Sequence, residues 1–214
     1  KDTDILTVEN LEKQKIGTLC MEDADKYLPI IYAAWKGVPL RTFQWMCEHT
    51  LMVNGSNIFK GPEENNLIKS WRDGSDWTIL HYATFFNHPH LIPYILYIFP
   101  TSHSMIDANY HKTAIEYAQM QCATEEQKQK EEEEQNKQNR FHTFDNLDEK
   151  YEKEQILKRY KASIQYLTDP NKTVEEYCQN NGIDYESHLE KIQTENLRIE
   201  KVKKMRKDRR KSSP

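Results

Sequence analysis

Few residue types that carry chemistry stand at spacings that would let them act together. His88 and His90 flank Pro89 and offer two imidazoles, but no Cys or carboxylate stands nearby at metal-ligand spacing. The four cysteines, Cys20, Cys47, Cys122 and Cys178, are never two to four residues apart. That spacing gives neither a zinc knuckle nor a CxxC redox pair and reads as buried thiols of a reducing compartment. The acidic run Glu131 to Glu134 reads as a solvated helix face. Glycine is scarce, with six in all, and no GxxxxGK, GxGxxG, GxSxG or HExxH pattern occurs. The expectation is a protein with no catalytic residues, no metal, no cofactor and no small-molecule substrate. The densest charge feature is the tail. Lys201, Lys203, Lys204, Arg206, Lys207, Arg209, Arg210 and Lys211 are interrupted only by Val202, Met205 and Asp208. Such a run suits nuclear targeting or phosphate contact as well as it suits a solvated end.

Three stretches that align with one another announce the elements that would position surface residues. The clearest is Thr78-Ile79-Leu80-His81-Tyr82-Ala83-Thr84-Phe85-Phe86-Asn87-His88. A second is Leu28-Pro29-Ile30-Ile31-Tyr32-Ala33-Ala34-Trp35-Lys36-Gly37. A third is Thr113-Ala114-Ile115-Glu116-Tyr117-Ala118-Gln119, with Asp107-Ala108-Asn109 ahead of it. The first resembles the ankyrin pattern T-P-L-H-x-A-A-x-x-G-H. The second keeps its Pro, its Ala pair and its Gly but lacks the Thr and the His. The resemblance covers roughly residues 25–123. It implies an all-α fold, a short ankyrin-type solenoid followed by a helical C-terminal extension.

The physics behind the pattern is legible. A Thr hydroxyl satisfies free N–H groups at the start of a helix. A Pro in the first turn loses no hydrogen bond. The motif His typically ties its own turn to the neighbouring one. Second helices then supply apolar residues, Phe43, Trp45 and Met46 in one copy and Leu91, Ile92, Ile95, Leu96 and Ile98 in the next. One such unit cannot bury its own apolar face, and stacking solves this.

Spacing divides the chain further. Thr78 and Thr113 are 35 residues apart, close to the ~33 of an ankyrin unit. Leu28 and Thr78 are 50 apart, so an enlarged loop is placed at residues 51–77, where Gly55, Gly61, Pro62 and Gly74 fall. Residues 1–24 read as an N-terminal cap or partial repeat. The start at Lys1 suggests a trimmed chain with repeats missing upstream. Residues 124–145 read as a charged linker, with a solvated helix fraying into it, residues 146–200 as a helical unit and 201–214 as the basic tail. In the helical unit Tyr151, Ile156, Tyr160, Ile164 and Leu167 repeat at helical spacing until Thr168-Asp169-Pro170. Thr173 to Glu176 reads as a capping box, Gly182 as a left-handed stop and Asp184 as the cap of a last helix carrying Tyr185, Leu189 and Ile192.

Residues 173–192 also resemble a helix-turn-helix of the transposase or recombinase type. Two departures favour a plain three-helix packing unit. Leu189 stands one residue late, and Asp184, Glu186 and Glu190 would turn the wrong charge toward phosphate. No apolar run approaches the ~18 residues a membrane span needs. The sequons at Asn54 and Asn171 are weak, chance-level matches. The functional expectation is a non-catalytic adaptor or scaffold subunit of a larger complex, intracellular, in nucleus or cytoplasm. Its partner, another protein, would contact Tyr32, Trp35, Lys36, Trp71, Trp77, Tyr82 and Phe86. The alternative is a nucleic-acid-associated protein that touches DNA or RNA through the C-terminal helices and the tail.

Overall fold

A computed structural model describes residues 19, 23, 27–53, 73–138, 147–194 and 197. The described residues are mostly α-helical, with short 3₁₀ turns and no strand element. The α-helices are α1 (Pro29–Lys36), α2 (Leu40–Val53), α3 (Ile79–Phe85), α4 (Ile92–Ile98), α5 (Ala114–Gln138), α6 (Leu147–Thr168) and α7 (Pro170–Asn180). A further helix, α8, runs over 185–194. The all-α expectation holds.

Two short helices, α1 and α3, lie beside each other, and α3 lies beside the start of α5. Local chemistry explains their brevity. Pro29 opens α1 without losing a hydrogen bond. Gly37 closes it at φ +64°, a left-handed conformation that costs glycine little. Asn87 takes the same conformation, φ +65°, just past α3. The third copy has Cys122 at the matching place, nine residues after the helix cap. A β-carbon disfavours the left-handed conformation there, and the helix continues to Gln138. The boundary drawn at residue 124 therefore falls inside α5.

Behind these helices stand α2 and α4. Phe43, Leu80, Leu91, Ile92, Ile95 and Leu96 are fully buried or nearly so. Burying each such side chain is worth about 1.5–3 kcal/mol. Pairing of α5 with α6 carries Lys161–Glu126 (3.0 Å) and a Lys153–Glu132 contact on its outer side. The C-terminal unit does not stand apart. Leu167, Val174, Tyr177 and Cys178 belong to the same buried cluster as Leu80 and Leu96. Helix α7 lies on α4, where Tyr177 approaches Tyr97 at 5.2 Å and accepts a hydrogen bond from Gln44.

The cap of α7 differs from the sequence reading. Pro170 opens the helix, and the Asp169 carboxylate accepts from the Lys172 N–H at 3.1 Å. Thr173 is buried inside the helix and donates its hydroxyl to the Tyr166 carbonyl at 2.8 Å, joining α7 to α6. A Pro at the first position favours a start there over one at Thr173. Gly182 adopts φ +67° as expected, and Asp184 caps α8 through the Ser187 N–H.

Candidate interaction surface

One local construction occurs three times ahead of the short helices. Each copy begins with an aspartate five or six residues before the helix cap. Its N–H donates to the carbonyl of the residue preceding the cap: Asp23 to Tyr27 (3.0 Å), Asp73 to Trp77 (3.1 Å), Asp107 to Lys112 (3.1 Å). Its carboxylate accepts from the N–H of that same residue, at 2.8, 2.8 and 2.9 Å. The second carboxylate oxygen accepts the hydroxyl of a tyrosine at the fourth helical position in the first two copies, Tyr32 (2.6 Å) and Tyr82 (2.7 Å), while in the third Tyr117 donates at 3.0 Å to the same Oδ2 that takes the Lys112 N–H. Each turn is thus closed by the backbone and bolted to its helix by one Asp–Tyr pair. Neighbouring turns are joined by the Ala108 N–H donating to the Ser75 carbonyl at 2.9 Å.

His81 joins its own helix cap to the neighbouring turn. Thr78 Oγ1 accepts from the His81 N–H, and the His81 ring answers the Thr78 N–H. Its Nε2 lies 3.1 Å from the Lys112 carbonyl, the turn of the next copy. A carbonyl only accepts, so the proton sits on Nε2 and leaves Nδ1 as the acceptor. The third copy closes its cap differently: Thr113 donates from both N–H and hydroxyl to Glu116 at 2.7 Å. At the junction of the first two copies, His88 donates to the Trp35 carbonyl (2.8 Å) and His90 to the Val38 carbonyl (3.1 Å).

Electrostatics follow burial. Desolvation alone would push the Asp107 carboxyl up. The N–H groups of Tyr110 and Lys112, the Tyr117 hydroxyl and the Asn109 N–H outweigh it and bring the group to about 2. Burial and then the bond to Asp107 push the Tyr117 hydroxyl up to about 12. Burial and the Asp73 bond raise Tyr82 likewise. His88 is lowered, chiefly by burial, with His90 and Arg159 adding to it against the Trp35 carbonyl.

The short helices carry a continuous aromatic row. Tyr32 stacks on Trp35 at 5.8 Å, Trp35 tilts against Phe86 at 5.4 Å and Phe86 meets Phe85 at 5.1 Å. Phe85 then reaches Trp77 at 5.2 Å, and Trp77 reaches Tyr117 at 5.0 Å. Tyr32 is 36% exposed; Trp35, Trp77 and Phe86 are half-buried. Lys36 is exposed, with its ammonium 4.7 Å from the Trp35 ring centre. Tyr82 departs from expectation. It is 6% exposed, turned into the core and held by Asp73, so it supports the row from beneath and offers little surface. Trp71 and the tail residues Lys201, Lys203, Lys204, Arg206, Lys207, Arg209, Arg210 and Lys211 lie outside the described residues, as do 54–72 of the enlarged loop.

Sequence reasoning missed Asp23 and Asp73. Their signal was present: an acid at a nearly constant distance before each helix, as at Asp107. It also missed Tyr110 and Ile106, 69% and 50% exposed on the turn that Asp107 holds. In the C-terminal unit, Asp184, Glu186 and Glu190 are exposed, while Val174, Tyr177 and Cys178 face the core. Among the described residues no three His, Cys, Asp or Glu side chains assemble as metal ligands, and no helix is long and apolar enough to cross a membrane. Comparison with known proteins finds no matching family model, no matching curated relative and no matching solved structure.

Proposed function

We propose that the chain is a non-catalytic interaction module of the ankyrin-repeat kind, an adaptor that holds another protein against the aromatic row of its short helices. The observation that carries this reading is recurrence in register. Three Asp–turn–helix–Tyr units repeat with the same bonds, and His81 joins one unit to the next. Repeated units of this type build an extended surface in which each turn and short helix contributes a few side chains. The half-buried Trp35 and Phe86 and the exposed Tyr32 suit such a surface, because rigid aromatic side chains bind at low entropic cost and dominate interface energetics.

The test is an affinity capture from the native source with the full chain, with Trp35→Ala and with residues 201–214 deleted. Circular dichroism and the thermal midpoint establish that each variant is folded. The reading expects a captured partner to be lost by Trp35→Ala and kept by the deletion. A partner held equally well by folded Trp35→Ala contradicts it. Salt-dependent retention on DNA that vanishes with the deletion would point to the nucleic-acid alternative instead.

A further inference from the structure

We propose that the edge where α1 and α3 end receives an acidic segment of a partner protein, with an apolar side chain of that segment seated on Trp35 and Phe86. This deepens the reading of the aromatic row as a docking surface and rests on it.

The argument is one of charge and access. Trp35 and Phe86 stand 5.4 Å apart and are half-buried, so each leaves part of its ring open. Lys36 lies over Trp35 at 4.7 Å. From the other side α6 bonds the end of α3 twice, the Tyr160 hydroxyl donating to the Phe85 carbonyl and the Asn87 amide to the Ile156 carbonyl. This brings the exposed Arg159 close enough to disfavour a charged His88. Among the described residues neither Lys36 nor Arg159 is in an ion pair.

On the facing helix α5, Glu125 lies near enough to Tyr160 to raise its hydroxyl but pairs with Lys128, and Glu126 pairs with Lys161. Residues 27–47 and 77–106, which build α1, α3, α4 and most of the apolar face of α2, contain no Asp and no Glu. On α6 the preceding carboxylates, Glu152 and Glu154, stand at least five residues before Arg159. Helix ends ordinarily present carbonyls and a partial negative charge. Here two such carbonyls are already taken, Trp35 by His88 and Phe85 by Tyr160, and His90 takes that of Val38 just beyond α1. The chain as a whole has a formal net charge of -4, so a cationic edge is a local property and not an average one. The turns that precede the short helices, at their N-terminal ends, hold the carboxylates Asp23, Asp73 and Asp107. An acidic segment is therefore attracted to the C-terminal ends of the short helices and repelled from their N-terminal turns, which fixes its placement. Two exposed cations are too few to track a phosphate backbone, so a peptide fits this edge better than a nucleic acid.

The probe is a displayed random-peptide library selected on the full chain, alongside single-stranded oligothymidylate. Selected peptides are measured against wild type, Trp35→Ala and Lys36→Glu/Arg159→Glu, each checked for folding. If the charge-reversed pair does not fold, Lys36→Gln/Arg159→Gln takes its place. The expected binders combine a run of Asp or Glu with an aromatic or aliphatic residue. Their affinity should fall about tenfold or more in each variant, and fall again as salt rises. Binders that need Trp35 but carry no acidic bias, or ignore the Lys36/Arg159 reversal, overturn the proposal and leave the docking surface standing. Oligothymidylate that binds this edge and displaces the peptides overturns it in favour of a nucleic-acid ligand. Binders indifferent to Trp35→Ala, or no binders at all, count against both readings.

Discussion

Asp107 shows how much one side chain can organise. Although 1% exposed, it is kept ionised by three backbone N–H groups and the Tyr117 hydroxyl. Hydrogen bonds to a buried charge are among the strong ones, about 1.5–3 kcal/mol each. Asp107→Asn keeps the shape but withdraws the charge, and should cost roughly 3 kcal/mol in denaturant unfolding at neutral pH. The pH dependence has a definite sign. The folded carboxyl titrates near 2, below its ordinary value. Its stabilisation is therefore complete above about pH 4 and is lost as pH falls toward 2. The Asn variant should lose that part of the acid-unfolding slope; an unchanged slope would show that Asp107 does not act as described. Gly37 is the other decisive residue. It sits at φ +64°, and a β-carbon there would meet the His88 ring at 2.2 Å. That ring is pinned by its bond to Trp35, so it cannot simply swing away. Gly37→Ala should destabilise by about 2–4 kcal/mol, adding left-handed strain to overpacking. Should Gly37→Ala unfold at the wild-type midpoint, the described contact would be wrong.

At the scale of elements, cap chemistry decides where helices begin and stop, and it was only partly legible. Thr78 and Gly182 could be placed from the sequence because each residue has one dominant use in its context. The long helical period from Leu147 to Thr168 was equally plain. The cap of α7 was not. Two candidates stood four residues apart, Asp169 followed by Pro170 and Thr173 followed by Glu176, and pattern alone does not rank them. What ranks them is the packing of α7 on α6, which buries Thr173 and turns its hydroxyl to Tyr166. The two assignments predict opposite outcomes. Asp169→Ala should cost about 1 kcal/mol as a lost cap, whereas Glu176→Ala should stay within about 0.5 kcal/mol. Thermal or denaturant unfolding of the two variants separates them, and the reverse order would restore Thr173 as the cap. The length of α5 was hidden for a related reason. A stop signal is read from a residue that is present, and at Cys122 the decisive fact is that neither Gly nor Asn occupies the stopping place.

On the scale of the whole molecule, the sequence divides into repeat-like segments over residues 25–123 and, past a charged linker, a separate helical unit over 146–200. The packing joins them. Polar helices look independent in sequence because most of their residues face water, and the few that do not are easily overlooked. Tyr160, Leu167, Val174, Tyr177 and Cys178 are buried, and four of these five belong to the core that Leu80 and Leu96 share. Side-chain contacts also cross the divide, from Gln44 to Tyr177, from Tyr160 to Phe85 and from Asn87 to Ile156. Removing everything after Gln138 would uncover the outer side of α4, strip the partner of α5 and leave Phe85 and Asn87 without their polar partners. Each apolar side chain of α6 and α7 that is lost with its neighbours costs about 1.5–3 kcal/mol of burial, and a domain of this size holds only ~5–15 kcal/mol in all. A chain ending at residue 138 should therefore fail to unfold cooperatively, while the full chain should melt in one transition by circular dichroism, by tryptophan fluorescence and by calorimetry. Two separate transitions in the full chain, or a truncated form as stable as the parent, would restore the division into an independent repeat region and an appended helical unit.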